Sequence, residues 1–218
     1  RKMESAIHEY IGLLWSKIFI WGIHMKKEPI ILIGGGGHCR SVIDVIEQQE
    51  KFRIEGIIDL PGKIGERVFN YSIIAQESDL PELIEEYKNI HITLGYINGP
   101  ENRIRIFNYL LNLGANLPII VSPSAYVSQY AKIGIGTAIL HHAIINAGAV
   151  VGKNCIINTR ALIEHDVVIG NHCHISTGAI INGGVKMGDN VFFGSGAVSK
   201  QYITIPDNSF IKANSLIK

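Results

Sequence analysis

His165 stands between two acids, Glu164 and Asp166. An amine or hydroxyl that attacks a carbonyl must lose a proton, and a side chain titrating near neutrality is best suited to take it. A carboxylate beside the ring holds its tautomer and raises its basicity, and by sequence both acids are available. Gly183 follows 18 residues later. Its N–H, clear of any side chain, could meet an oxygen on which negative charge collects; the alternative reading of Gly183-Gly184 is a turn corner. A second place for chemistry is the run Gly34-Gly35-Gly36-Gly37-His38. A glycine run between a strand and a helix brings backbone N–H groups and the positive helix end to a phosphate. It is not a full dinucleotide fingerprint, because Cys39 stands where the third glycine is required. Asp59, 22 residues after Gly37, could accept hydrogen bonds from a ribose or a base.

Two kinds of element must hold these groups. Over 25–118 strands and helices alternate: an apolar run Ile30–Ile33 into the glycines, helical spacing over Ser41–Gln49, a strand Gly56–Ile58 ending at Asp59, a helix Asp79–Tyr87, a strand Ile90–Leu94, and a helix Glu101–Leu113 closed by Gly114. This pattern predicts a small Rossmann-like α/β domain with a parallel sheet. Over 119–218 the period becomes six. Every sixth residue from Val121 to Ile217 is apolar except Ser199, and two residues before most of them stands a small or β-branched one, such as Ala143, Cys155 or Ala179. Neither a helix nor a plain strand has this period, and a repeat of six predicts a parallel β-helix. Each triangular coil then takes 18 residues and rises by roughly 4.8 Å, which sets Gly183 one coil above His165. Thr177, Ser195 and Ala213 form another vertical line of small residues.

Lys plus Arg is 20 and Asp plus Glu is 19, a balance that gives no reason to expect nucleic acid or an anionic membrane surface. Three cysteines, Cys39, Cys155 and Cys173, with no CxxC, fit a reducing compartment and point to a cytoplasmic protein rather than a disulfide framework. Residues 1–24 stand apart. Their apolar stretch from Ile11 to Ile23 is interrupted by Ser16-Lys17 and too short to span a membrane, and the segment is read as an upstream or non-native extension before Met25.

The repeats resemble those of left-handed β-helix acyltransferases, and the likeness is closer than that. Asn158-Thr159-Arg160-Ala161-Leu162-Ile163-Glu164-His165-Asp166 resembles the N-T-x-x-x-I-E-H-[DE] segment of the NeuD/PglD family of sugar acetyltransferases, and His174-Ile175-Ser176-Thr177-Gly178-Ala179 resembles its H-[IV]-S-x-G-A. The early glycines with His38, the Asp59 strand end and Gly95 are similar to its nucleotide-sugar domain. The resemblance implies a left-handed coil, a homotrimer with sites between subunits, and transfer of an acetyl group from acetyl-CoA to a sugar, a UDP-linked 4-amino sugar first and a sialic acid or other sugar hydroxyl second. It implies His165 as base with Asp166 as its partner. It implies sugar-nucleotide contacts at Gly36, Gly37, His38, Asp59, Gly95 and Asn158, and acetyl-CoA contacts at His174, Gly183, Ser195 and Ala213. Where the family often has Asn-Asn after the glycine matching Gly95, this chain has Tyr96-Ile97, and its last residues, Lys212 to Lys218, depart from the Gly-x-Pro-Ala-Lys tail of many members. Two other classes compete. The set His165, His172 and His174 invites comparison with zinc-dependent β-helix hydratases, whose ligands come from well-separated coils and a neighbouring subunit; here two would share one coil edge, so no metal is expected. A degenerate, non-catalytic binding module is the third.

Overall fold

A computed structural model describes residues 27–97 and 99–218. Residues 1–24, read from the sequence as an upstream or non-native extension, lie outside the described residues. In the first half β1 (Glu28–Ile33), β2 (Phe52–Ile58), β3 (Arg67–Val68), β4 (Tyr71–Ala75) and β5 (Asn89–Ile92) form a sheet in the order β3-β4-β2-β1-β5. Strand β1 (Glu28–Ile33) lies between β2 (Phe52–Ile58) and β5 (Asn89–Ile92), parallel to both. Such central strands are buried on both faces and therefore read as unbroken apolar runs; Ile30, Ile31 and Leu32 are fully buried. Helix α1 (Gly37–Gln49) begins inside the glycine run, four residues before the periodicity of its apolar face announces it. Its Val42, Ile43, Val45 and Ile46 are fully buried. The hairpin of β3 (Arg67–Val68) and β4 (Tyr71–Ala75) was not anticipated from sequence. β3 has only two residues, and the adjacent Ile73 and Ile74 break the alternation that would mark β4 as a strand. Two further helices, α2 (Leu80–Glu86) and α3 (Glu101–Asn112), complete this half.

The second half winds as a left-handed parallel β-helix of two-residue strands in three parallel sheets. Strand partners are 18 residues apart, as in Ile144↔Leu162 and Leu162↔Ile180. The inward column, with Ile145, Ile163, Ile181 and Phe193 at 0% exposure, forms one continuous core with the small residues Ala143, Ala161 and Ala179. Ser199, the one polar residue in that column, is fully buried, and its hydroxyl accepts the Asn182 N–H at 2.9 Å, so the hydroxyl is satisfied inside the core. Every sixth residue from Gly136 to Asn214 has a positive φ, among them Asn154, Asp166, Asn190 and Gly184. Left-handed backbone at each corner is best tolerated by Gly, Asn and Asp, which explains a second period of six in the sequence.

The two halves share packing. Ile120, Ala138 and Leu140 of the first coils join the cluster formed by α1, β1 and β2. Arg103 of α3 is 2% exposed and donates to the carbonyls of Ile92 at 2.7 Å, Leu94 at 2.9 Å and Asn154 at 3.2 Å. One guanidinium thereby joins the N-terminal sheet to the β-helix through backbone groups on both sides. Among the described residues no helix is long and apolar enough to cross a membrane.

Candidate active site

The three faces of the coil define three corners. The face carrying Ile120, Ala138, Ile156, His174, Phe192 and Phe210 is the first. The face carrying Tyr126, Ile144, Leu162, Ile180, Val198 and Leu216 is the second, and the remaining face the third. His165 lies at the corner between the second and third faces. Asp166, next to it, has φ +59°, and this left-handed turn brings its carboxylate Oδ2 within 3.0 Å of His165 Nδ1. A carboxylate accepts only, so Nδ1 carries the hydrogen and Nε2 keeps its lone pair for a substrate proton. Glu164 is committed elsewhere: its Oε2 accepts from Asn146 Nδ2 at 2.9 Å and from the His165 N–H at 3.3 Å. Geometry thus separates two acids that are equivalent by sequence.

Gly183 stands one coil above. The Gly184 N–H donates to the His165 carbonyl at 3.0 Å, and a Cβ on Gly183 would lie 2.7 Å from His165 Nε2. Only glycine leaves that approach open. The Gly183 N–H has no hydrogen-bond acceptor among the described residues, so a donor remains beside the imidazole where a carbonyl oxygen could sit.

A second cluster occupies the first face and the corner between the first and second faces. His174, Asn158, Ser195 and Ala213 line one cleft of about 510 Å3 with Phe192 and Phe210. Ser195 Oγ lies 2.8 Å from Ser176 Oγ. His174 is 8% exposed, and burial, reinforced by the Arg103 charge, pushes its pKa down to about 4 against the opposing pull of the Tyr96 carbonyl. In one chain this cluster and His165 lie at opposite edges of the second face. The structure does not bring them together within a single subunit.

The third cluster is the glycine loop. Gly36, Gly37, His38 and Gly95 line a cleft of about 520 Å3 that also reaches His174. His38 Nε2 is buried with no partner. Burial first, then the charges of Arg103, His174 and His91, holds its pKa well below the usual histidine range. A neutral ring with an unmet nitrogen beside helix N–H groups suits a polar ligand. Asp59 is already engaged: Oδ2 accepts the Gly35 N–H at 2.7 Å and Lys63 Nζ at 3.2 Å, and Oδ1 accepts the Leu60 N–H at 2.7 Å. Its carboxylate sets the shape of the glycine loop as well as lining the adjoining cavity of about 560 Å3. That cavity is edged by Arg105 and Glu77, an ion pair with no sequence signature because its members are 28 residues apart.

His172 and His174 have separate partners, Asn154 Nδ2 at 3.0 Å and the Tyr96 carbonyl at 2.9 Å. Among the described residues no group of three or more His, Cys, Asp or Glu side chains is placed to hold a metal ion. Tyr96 went unrecognised in the sequence except as a departure. It donates its hydroxyl to the His172 carbonyl at 2.5 Å and sets its ring edge-on to His174 at 5.5 Å between centroids.

The PglD N-terminal domain model matches residues 29–110, and the bacterial transferase hexapeptide model, six repeats, matches residues 166–198. The acetyltransferase domain of PglB from Neisseria gonorrhoeae FA1090 superposes with a TM-score of 0.79 at 27% identity, over 88% of this chain and 92% of that one. The chain joins a PglD N-terminal domain to bacterial transferase hexapeptide repeats and is an acyltransferase. The same PglB domain in complex with acetyl coenzyme A aligns equally well, with a TM-score of 0.79 and 27% identity, over 88% of this chain and 93% of that one. WeeI from Acinetobacter baumannii AYE shares the fold of this acyltransferase at 20% identity, over 88% and 92% of the two chains, with a TM-score of 0.79. No sequence among the curated proteins matches.

Proposed function

We propose that this acyltransferase moves the acetyl group of acetyl-CoA to the amino group of a nucleotide-linked sugar, with a UDP-linked 4-amino sugar as the best substrate. The reading rests on one observation above all: an imidazole oriented by a carboxylate, with its free nitrogen beneath a glycine whose Cβ would crowd that nitrogen. His165 takes the proton from the attacking amine, the Gly183 N–H bonds the oxyanion, and the thiolate of CoA leaves. The glycine loop with His38 and Gly95 receives the diphosphate and sugar, and Asp59 holds that loop. Asn158, Ser195 and Ala213 form the track for the pantetheine arm, and His174 stands at its inner end, where the thioester meets the sugar cleft.

A homotrimer completes the site. The second face presents outward a column of apolar side chains, with Tyr126 58%, Ile144 39% and Leu216 61% exposed. A ladder of this size calls for burial. Packing three such faces around one axis brings the His165 corner of one subunit against the His174 corner of the next, because these are the two edges of the buried face. The complex of the PglB acetyltransferase domain with acetyl coenzyme A supports the cofactor assignment. The test is acetyl transfer from acetyl-CoA to UDP-4-amino sugars by wild type and His165→Ala. The variant is expected to lose at least roughly a hundredfold in kcat, the size of general-base catalysis. Near-full activity would remove His165 from its role, and unchanged thioester turnover would favour a binding module.

A further inference from the structure

His174 lies where the glycine-loop cleft and the cleft of Asn158, Ser195 and Ala213 meet. The hydrogen bonds around it have only one consistent direction. The Thr159 N–H donates to Asn158 Oδ1 at 2.8 Å, which turns the amide so that Nδ2 faces His174 Nε2 at 3.2 Å. On the other side of the ring Nδ1 meets the Tyr96 carbonyl at 2.9 Å. A carbonyl oxygen accepts and cannot donate, so Nδ1 carries the hydrogen and Nε2 is bare. A second proton is excluded by burial and by the neighbouring Arg103 charge. Tyr96 itself is fixed through its hydroxyl bond to His172. A backbone oxygen therefore sets the tautomer, and His174 offers a ligand an acceptor and no donor.

Resting on the function proposed above, we infer that His174 selects an amine over a hydroxyl as the attacking group. In the trimer proposed above, either nucleophile gives one hydrogen to His165 of the partner subunit. A neutral primary amine keeps a second N–H, which the bare Nε2 of His174 accepts in place of the long contact from Asn158. A hydroxyl has no second hydrogen, and its remaining lone pairs would face the lone pair of Nε2. A site built to accept a substrate N–H rejects the analogue lacking it by far more than a steric pocket can, up to roughly 10⁴-fold. In the step itself the amine nitrogen bonds to the thioester carbon, the C–S bond breaks, and the proton taken by His165 passes to the departing CoA thiolate. His174 exchanges no proton and acts as a specificity-determining residue.

Two measurements test this on the full chain. Long-range 1H–15N correlation of histidine-labelled protein at pH 7 is expected to show His174 with a protonated Nδ1 and a bare Nε2. A protonated Nε2, or an imidazolium, overturns the inference whatever the enzyme's activity. The second compares kcat/KM, with acetyl-CoA as donor, for a UDP-linked 4-amino sugar and its 4-hydroxy counterpart. Wild type is expected to favour the amine strongly. In His174→Phe, whose ring keeps the packing against Tyr96 and Phe192, the amine-to-hydroxyl ratio should fall at least roughly tenfold, and His174→Gln, which restores an acceptor, should recover part of it. A ratio unchanged in both variants overturns the selection while leaving acetyl transfer intact. A wild type that acetylates neither compound overturns the acetyl-transfer reading, and the selection with it.

Discussion

The contact between His165 and Asp166 depends on one backbone angle. Adjacent side chains on a strand point to opposite faces, yet here residue 166 adopts the left-handed conformation, and the carboxylate returns to the imidazole at 3.0 Å. Gly183 then closes the site from above. Its φ is not in the left-handed region, so alanine is conformationally acceptable, and only its methyl, 2.7 Å from Nε2, intrudes. Gly183→Ala is expected to leave the melting temperature nearly unchanged and to lower kcat by roughly a hundredfold, the scale of losing one oxyanion donor's geometry; kinetics beside calorimetry checks it. The buried histidines make a prediction about pH. Burial lowers the pKa of His174 to about 4 and of His91 to about 3. Both rings stay neutral in the folded chain, whereas unfolded they titrate near 6.5. The unfolded state therefore binds more protons as pH falls below about 6.5, and stability is lost over that range, by up to about 1.4 kcal/mol per pH unit for each ring. The melting temperature should fall between pH 7 and pH 5, and the slope should be shallower in His174→Phe. Carboxylates with lowered pKa values, such as Asp59 and Glu77, add their losses only nearer pH 4.

At the scale of the element, coil stacking sets the tolerance. Gly134, Gly152, Gly170 and Gly188 form a column at the corner between the third and first faces, and a Cβ on Gly152 would lie 2.5 Å from the Gly170 carbonyl carbon. Backbone cannot yield as a flexible side chain does. Gly152→Ala is expected to cost roughly 1–3 kcal/mol, the usual penalty of overpacking, visible as a melting temperature lower by several degrees. The Tyr96-Ile97 segment shows the opposite case, an element whose role follows from what it lies against. It joins the sheet of the first half to His172 and His174 on the coil, so a loop of the α/β half sets the chemistry of a β-helix histidine.

For the whole molecule, the separation of His165 from the cluster at Asn158 and His174 makes assembly and activity one question. Ile144→Glu places a charge on the outward apolar ladder of the second face without touching the inward column. It is expected to give monomers by sedimentation, an unchanged far-UV spectrum and no acetyl transfer. A trimer that persists, or a monomer that retains activity, would contradict a site shared between subunits.

The hexad period from Val121 to Ile217 was sufficient to specify the coil, because a β-helix is a local repeat: each inward aliphatic packs within its own coil and against the residues 18 positions before and after, and that spacing is written in the chain. The same 18-residue spacing sets Gly183 above His165. The short β3–β4 hairpin left no comparable mark. Other features required the folded molecule. Whether Glu164 or Asp166 holds His165 depended on a φ value and on Asn146 claiming one acid. Asp59 was legible as a strand-end acid, but its capture by the Gly35 and Leu60 amides was not. The tautomer of His174 was decided by a carbonyl 78 positions earlier in the chain. Hydrogen-bond direction between distant segments has no period, so it arises only when tertiary packing brings one particular oxygen to one particular nitrogen.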